Sequence, residues 1–162
     1  MYSNRQLKKS DAEIICRFPQ SEEELFYMFP RSTYPLPPEQ LIAAAEERRC
    51  PTVVTLENTI VGYGNFINAD SGDHCSIGNV IVNPDYRRKG VATYLAKILV
   101  EIAFTEFQVE YVRISCFNHN TAGLLLYKKL GFSPVEIEQR QSHEEIIIAV
   151  IHLHLKNKNI RT

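Results

Sequence analysis

The chain has 162 residues, of which 44% are hydrophobic, and carries a formal net charge of −1. That is enough length for a sizeable core, and residues 1–162 read as a single domain. A charge balance so near zero argues against nucleic acid or an anionic membrane as the main partner.

Residues 4–8 can form a short first strand. Ser10-x-x-Glu13 and Ser21-x-x-Glu24 both read as capping boxes, which predicts short helices over 11–18 and 22–29. Pro30 ends the second, and the loop that follows, 31–37, is stiffened by prolines. Pro38 suits the first position of a helix, and 39–49 has helical composition. From Thr52 the period changes: 52–57 and 59–68 are rich in β-branched and aromatic residues, and Glu57-Asn58 between them signals a hairpin. Residues 70–73 read as a turn into a strand over 75–82. A helix over 90–107 follows, with Val91, Leu95, Ile98 and Ile102 on one face. Then come a strand over 111–117, a helix over 121–130 closed by Gly131, and a strand over 132–138. The last strand, 145–155, is apolar on both faces and belongs inside a covered sheet, while the tail 156–162 is expected to fray. The order of elements predicts an α/β sandwich with a mixed sheet.

Cys16, Cys50, Cys75 and Cys116 are widely spread with no Cys-x-x-Cys, so neither a zinc site nor a disulfide framework is expected. Reduced thiols, no apolar leader and no apolar run of spanning length together predict a soluble, cytoplasmic protein.

The plainest chemistry lies in residues 80–99, VIVNPDYRRKGVATYLAKIL. A β-branched run stops at Asn83-Pro84-Asp85, three cations and Gly90 follow, and then a helical period begins. Strand, basic glycine loop and helix are the layout of an anion-binding turn, because the first N–H groups of a helix have no internal partner and sit at the positive end of its dipole. Gly90 lets the backbone come close to a ligand, Ala92 keeps the first turn narrow, and Arg87 offers a fork of donors to phosphate. Taken alone, the basic run also reads as a solvated face.

Arg87-x-x-Gly90-x-Ala92, preceded by Val82-Asn83-Pro84, resembles the cofactor-binding segment of the GNAT superfamily of acyl-CoA-dependent N-acyltransferases. A second segment, from Ile114 to Phe132, resembles the other hallmark of that family: a strand, then Asn120, then a helix bearing Tyr127 and closed by Leu130-Gly131-Phe132. The resemblance implies a single-domain α/β (α+β) fold. Its central sheet would be mixed and mostly antiparallel, with helices on both faces and two splayed strands forming the CoA site. It also implies an N-acetyltransferase that uses acetyl-CoA as co-substrate and no metal. The acetyl group would pass to a primary amine of a small molecule or peptide by direct attack in a ternary complex. A catalytically weak, CoA-binding regulatory module is the alternative. Under the resemblance, the backbone of Val80, Ile81 and Val82 serves the pantetheine arm. Arg87, Arg88, Lys89, Gly90, Val91 and Ala92 hold the pyrophosphate, and Asn120 caps its helix, touches pantetheine, or does both. Tyr127 contacts the cofactor and acts as the acid at the departing sulfur. A phenol of pKa about 10 facing a thiol of about 8.5 works uphill by roughly 2 kcal/mol, so hydrogen bonding to developing charge is its expected role.

The proton acceptor is less plain. Some family members carry a glutamate twelve residues before the tyrosine; that position is Ser115 here, and the strand before the basic loop offers Ser76 and Asn79. A water held by Asn79 and Ser115 is the expected substitute, with His119 as the ionisable alternative, and this favours a weakly basic amine. His152-x-His154 reads as structural, with a metal pair as the alternative. Arg31 is a candidate partner for an acceptor carboxylate, and Tyr34 a candidate to pack on it. A homodimer is compatible with the composition.

Overall fold

The computed structural model describes residues 1–69, 72–142 and 144–159; part of the turn expected at 70–73 and the end of the tail lie outside them. Seven strands form one sheet in the order β1-β2-β3-β4-β5-β7-β6. Strands β1 (Tyr2–Gln6), β2 (Arg49–Leu56), β3 (Thr59–Asn68) and β4 (His74–Val82) pair antiparallel in series. β4 then runs parallel to β5 (Tyr111–Phe117), and β7 (Ile147–Lys156) lies antiparallel between β5 and the edge strand β6 (Ser133–Gln141). The sheet is thus mixed and mostly antiparallel, and the apolar last strand is internal, as its composition requires.

Local chemistry accounts for several joints. Glu57 (φ 48) and Asn58 (φ 69) are both left-handed, which is what a two-residue hairpin turn of matching twist needs. Gly131 (φ 99) closes the helix before it. The hydroxyl of Ser21 accepts from the Glu24 N–H at 3.1 Å, but the Glu24 carboxylate accepts from the Gln20 N–H at 2.7 Å instead of completing a box on Ser21.

Helices cover both faces. On one, α1 (Ala12–Ile15), α2 (Glu22–Met28) and α3 (Pro38–Glu47) bury Ile15, Leu25, Met28 and Leu41 against Val53, Tyr63 and Ile81. On the other, α4 (Val91–Thr105) and α5 (Thr121–Lys129) close a core in which Val91, Leu95 and Leu99 meet Val54, Val61 and Phe66. The buried stripe of α4 is Val91, Leu95, Leu99 and Ala103; Ile98 and Ile102, expected on it, flank it half-buried. A Cβ on Gly62 would stand 2.8 Å from Val91 Cγ1, so this bare position is what lets the first turn of α4 rest on β3.

Three expectations need correction. Ser10 opens no helix: a short 3₁₀ turn at Lys9–Asp11 precedes a four-residue α1, and the organising group is Asp11. Its carboxylate accepts from the Lys8 N–H at 2.7 Å and from both Arg5 nitrogens at 2.7 and 3.0 Å, which ties the entry of α1 to β1. The described part of the tail, 156–159, is held through Asn157, whose side-chain amide donates to the Val109 carbonyl and whose N–H donates to that of Glu110. The first strand begins at Tyr2 and so lies two residues before the expected start.

The hydrogen bonds from Arg5 hold the Asp11 carboxyl below its ordinary value of 3.8. A carboxyl depressed in the folded state adds stability that is complete above its unfolded pKa and is lost as pH falls through the folded one. Asp11→Asn should therefore cost about 2 kcal/mol at neutral pH, or about 5 °C in Tm. The deficit should shrink as the pH falls below 3.8; calorimetry of both proteins across that range checks it.

Candidate active site

β4 and β5 pair from His74↔Tyr111 to Ile77↔Ile114, and there the register ends. The parting coincides with an irregularity in β4: Asn79 is left-handed (φ 52), and the β3–β4 register slips between Tyr63 and Asn65. A β-bulge bends its strand in this way. The Asn79 side chain is buried; it donates to the Met28 carbonyl at 2.9 Å and accepts from Asn65 Nδ2 at 3.0 Å, and Asn65 Nδ2 also donates to the Tyr63 hydroxyl. Both ends of the Asn79 side chain are thus engaged in tying α2 to the bulge, while Asn79 and Ser115, the pair expected to hold a water, line one groove.

Two grooves open on either side of this gap. The first is bounded by Val80, Ile81 and Val82 of β4, by Arg88 and Gly90, and by the start of α4. Gly90 (φ 86) caps α4 and Arg88 (φ 61) is left-handed two residues earlier. The first bond into the helix runs from the Tyr94 N–H to the Gly90 carbonyl at 3.0 Å, which leaves the N–H groups of Val91, Ala92 and Thr93 without helical partners. The first turn of α4 holds no acidic residue, and a Cβ on Gly90 would meet nothing within 4 Å. These open, positively poled donors fit the diphosphate of a nucleotide cofactor.

The guanidinium of Arg87, expected to reach for phosphate, is engaged elsewhere. Nη1 and Nη2 donate to the two Glu24 carboxylate oxygens at 2.8 and 3.0 Å, and Nη2 also reaches the Phe18 carbonyl at 3.3 Å. This pair holds the Glu24 carboxyl below its ordinary range and fastens α2 to the loop. Lys89 Nζ donates to the Asp85 carbonyl at 3.2 Å and lies 5.2 Å from the centre of the Tyr86 ring. Anion-binding capacity thus resides mainly in the backbone.

Asn120 and Tyr127 border both grooves. Asn120 Oδ1 accepts from the Gly123 N–H at 3.1 Å and caps α5. Tyr127 packs edge-on to Phe132, with ring centres 6.0 Å apart, and its hydroxyl has no hydrogen-bond partner among the described residues. Burial, and then the nearby Cys116 thiol, push its pKa above the phenol value, so it is a protonated donor at neutral pH. Burial also pushes Cys116 up to about 11 and Cys75 up to about 12, which leaves neither thiol poised as a nucleophile.

The second groove holds an arrangement that the sequence did not signal. Ser115 Oγ lies 2.7 Å from His152 Nδ1, and His152 Nε2 lies 2.9 Å from Glu138 Oε2. Ser115 and His152 are direct cross-strand partners on β5 and β7, and Glu138 pairs with the next-but-one residue, Val150. Arg140 first, and then His152, hold the Glu138 carboxyl down to about 2. His154 does not join His152 at a metal: it stacks on Tyr111 at 4.2 Å and meets Arg113 Nη1 at 3.2 Å. Among the described residues no group of three or more metal-ligating side chains forms. His119 packs against Tyr27, with ring centres 5.0 Å apart, and lines a separate cavity. Arg31 lines the second groove, Tyr34 does not, and Arg48 and Arg113 join it unannounced. Only the β5-β7-β6 register, which periodicity does not reveal, could have joined His152 to Ser115 and Glu138.

A parallel pair that parts beside a helix amino terminus, with an unpartnered tyrosine hydroxyl where two grooves meet, defines a cleft for two substrates. Residues 15–132 match the sequence profile of the acetyltransferase (GNAT) family, and the chain belongs to that family. Among curated proteins, spermidine N(1)-acetyltransferase from Escherichia coli K12 is 32% identical over 68 residues, which are 42% of this chain and 35% of that relative. The chain thus spans about a third of that relative's length. In fold it is similar to the ribosomal-protein-S18-alanine N-acetyltransferase of Escherichia coli (TM-score 0.74, 18% identity, all of both chains covered). It is also similar to yncA from Salmonella typhimurium, solved with its cofactor acetyl-CoA (TM-score 0.78, 16% identity, 99% of this chain and 96% of that one).

Because the Arg87 fork is tied to Glu24, Arg87→Ala should act first on stability. A loss of about 1–2 kcal/mol, or about 3–6 °C in Tm, is expected. Glu24→Gln should reproduce most of it, and the double variant should fall short of the sum. Thermal denaturation of the three proteins checks this.

Proposed function

We propose that this chain is an acetyl-CoA-dependent N-acetyltransferase that passes the acetyl group to a primary amine of a small molecule or peptide by direct attack. The observation that carries the reading is the end of the β4–β5 register at Ile77↔Ile114, beside the unpartnered N–H groups at the start of α4. Acetyl-CoA supplies an acyl group activated as a thioester. The backbone from Arg88 to Ala92 holds its diphosphate, with the Lys89 charge nearby, and the bared edge of Val80 to Val82 pairs with the peptide-like pantetheine arm as an added strand would. Amides on that edge also serve as donors to the carbonyl oxygen as it gains charge. Asn120 stands at the pantetheine groove as well as capping α5. Tyr127 hydrogen-bonds the departing sulfur, and its raised pKa makes it a donor that yields its proton late.

The relatives named above act on a polyamine and on a protein alanine. Here Arg31, Arg48, Arg113 and Arg140 border the acceptor groove against, among the described residues, a single carboxylate, Glu138. Arg113 and Arg140 reach carboxylates on β6, whereas Arg31 and Arg48 have no ion-pair partner among the described residues. Such a groove repels a polycation and suits an amine that carries a carboxylate. An α-amine, with a reference pKa of about 7.7–8.0, also needs less help to lose its proton than a lysine at about 10.4.

Thiol release from acetyl-CoA with a panel of free amino acids, dipeptides, lysine peptides and spermidine tests this. Carboxylate-bearing α-amines should exceed spermidine by about tenfold or more in kcat/KM. Tyr127→Phe should lower kcat about 10²-fold with little change in KM for acetyl-CoA. Binding of CoA with turnover of no amine would favour a regulatory module, and absence of CoA binding by calorimetry would overturn the reading.

A further inference from the structure

We propose that Ser115, His152 and Glu138 form a proton relay for the incoming ammonium, with Ser115 facing the substrate and His152 the terminal proton acceptor. The inference rests on the acetyltransferase reading, but its geometry stands apart from it. Ser115 is exposed to the acceptor groove, whereas His152 is 4% exposed and meets a hydrogen-bond partner at each ring nitrogen, 2.7 and 2.9 Å away. Tyr127 borders the same groove.

The direction of the relay follows from its acidic end. Glu138 is ionised at neutral pH and can only accept, so the proton of neutral His152 sits on Nε2. Nδ1 then carries a lone pair that accepts the Ser115 hydroxyl proton, and the serine oxygen keeps lone pairs for a donor in the groove. An ammonium there gives one proton to Ser115 Oγ as the serine proton moves to Nδ1. The products are a neutral amine, an unchanged serine and an imidazolium paired with Glu138; no charge is created and no other reactant is needed. Glu138 acts as a positioning residue, because it selects the tautomer and steadies the imidazolium.

Other charges bear on this site. Arg140 and Glu136 face it from β6, Arg113 from β5, His154 from its own strand, and Arg31, Arg48 and Tyr27 from the elements around the groove. The arginines oppose an imidazolium; Arg113 is paired with Glu136, and Arg140 shares Glu138 with the ring. Glu138 touches the ring directly, and its contact dominates at short range. Serine, histidine and a carboxylate in a row also constitute a nucleophilic triad, which would place a covalent acetyl on Ser115; the test separates the two.

Histidine side-chain NMR of the protein without ligands, at neutral pH, gives a reading independent of any acceptor. His152 should be the Nε2–H tautomer, and Glu138→Gln should erode that preference. A dominant Nδ1–H tautomer in the wild-type protein would overturn the relay. With the best amine of the panel, His152→Gln should lower kcat/KM about 10²–10⁴-fold at neutral pH, with the Kd for CoA unchanged. Ser115→Ala should match it, Ser115→Thr should recover most of the rate, and Glu138→Gln should lower kcat/KM by a smaller factor while changing the tautomer signal. A wild-type rate in His152→Gln or Ser115→Ala would end the proposal, as would an acetyl group on Ser115 by intact mass after acetyl-CoA is added without amine. If no amine turns over, the acetyltransferase reading falls while the NMR result still decides whether the relay is built.

Discussion

At Ile77 the parallel ladder between β4 and β5 stops, and the rest of the architecture can be read as arrangements to make that stop stable and accessible. Strand edges with unpaired N–H and carbonyl groups are costly to bury and tend to find partners. Here the edge is kept bare by a left-handed asparagine in a bulge, and that asparagine is pinned by α2 on one side and by Asn65 on the other. Close packing of α4 on Gly62 brings the helix amino terminus to the same place. The opening therefore depends on two small residues, one missing a side chain and one using all of its own.

Backbone and side chains divide the work. Donors for an anion come from main-chain amides, which have fixed directions and need no rearrangement. The charged side chains nearby are occupied with architecture: Arg87 with Glu24 and Arg5 with Asp11. Partly buried pairs of this kind contribute modest net stability, but they fix which helix lies against which strand. A basic sequence run is thus a poor guide to where an anion sits when the bases already have partners.

How much could be read beforehand follows from sequence distance. The hairpin at Glu57-Asn58, the cap at Asn120, the stop at Gly131 and the internal character of β7 all depend on neighbours within a few residues, and each is written in the local pattern. So are the two segments that resemble the family. Arg87 and Glu24, by contrast, are 63 residues apart, and Ser115 and His152 are 37 apart. Their meeting is decided by strand register and helix placement, for which no short-range signal exists. Asp11 prevailed over Ser10 for the same reason, since its advantage lies in Arg5 on a neighbouring strand. In the sequence His152 reads only as structural or as a metal ligand, and its link to Ser115 and Glu138 goes unseen, because an internal strand hides which of its polar residues face a groove.

Helix α2 borders the donor groove through Glu24, Tyr27 and Met28 and the acceptor groove through Tyr27 and Met28. Seven residues therefore act as a party wall, clamped at one end by Arg87 and at the other by Asn79. A displacement of α2 would thus reshape both grooves together, and any coupling that followed between their occupants would be equal in both directions.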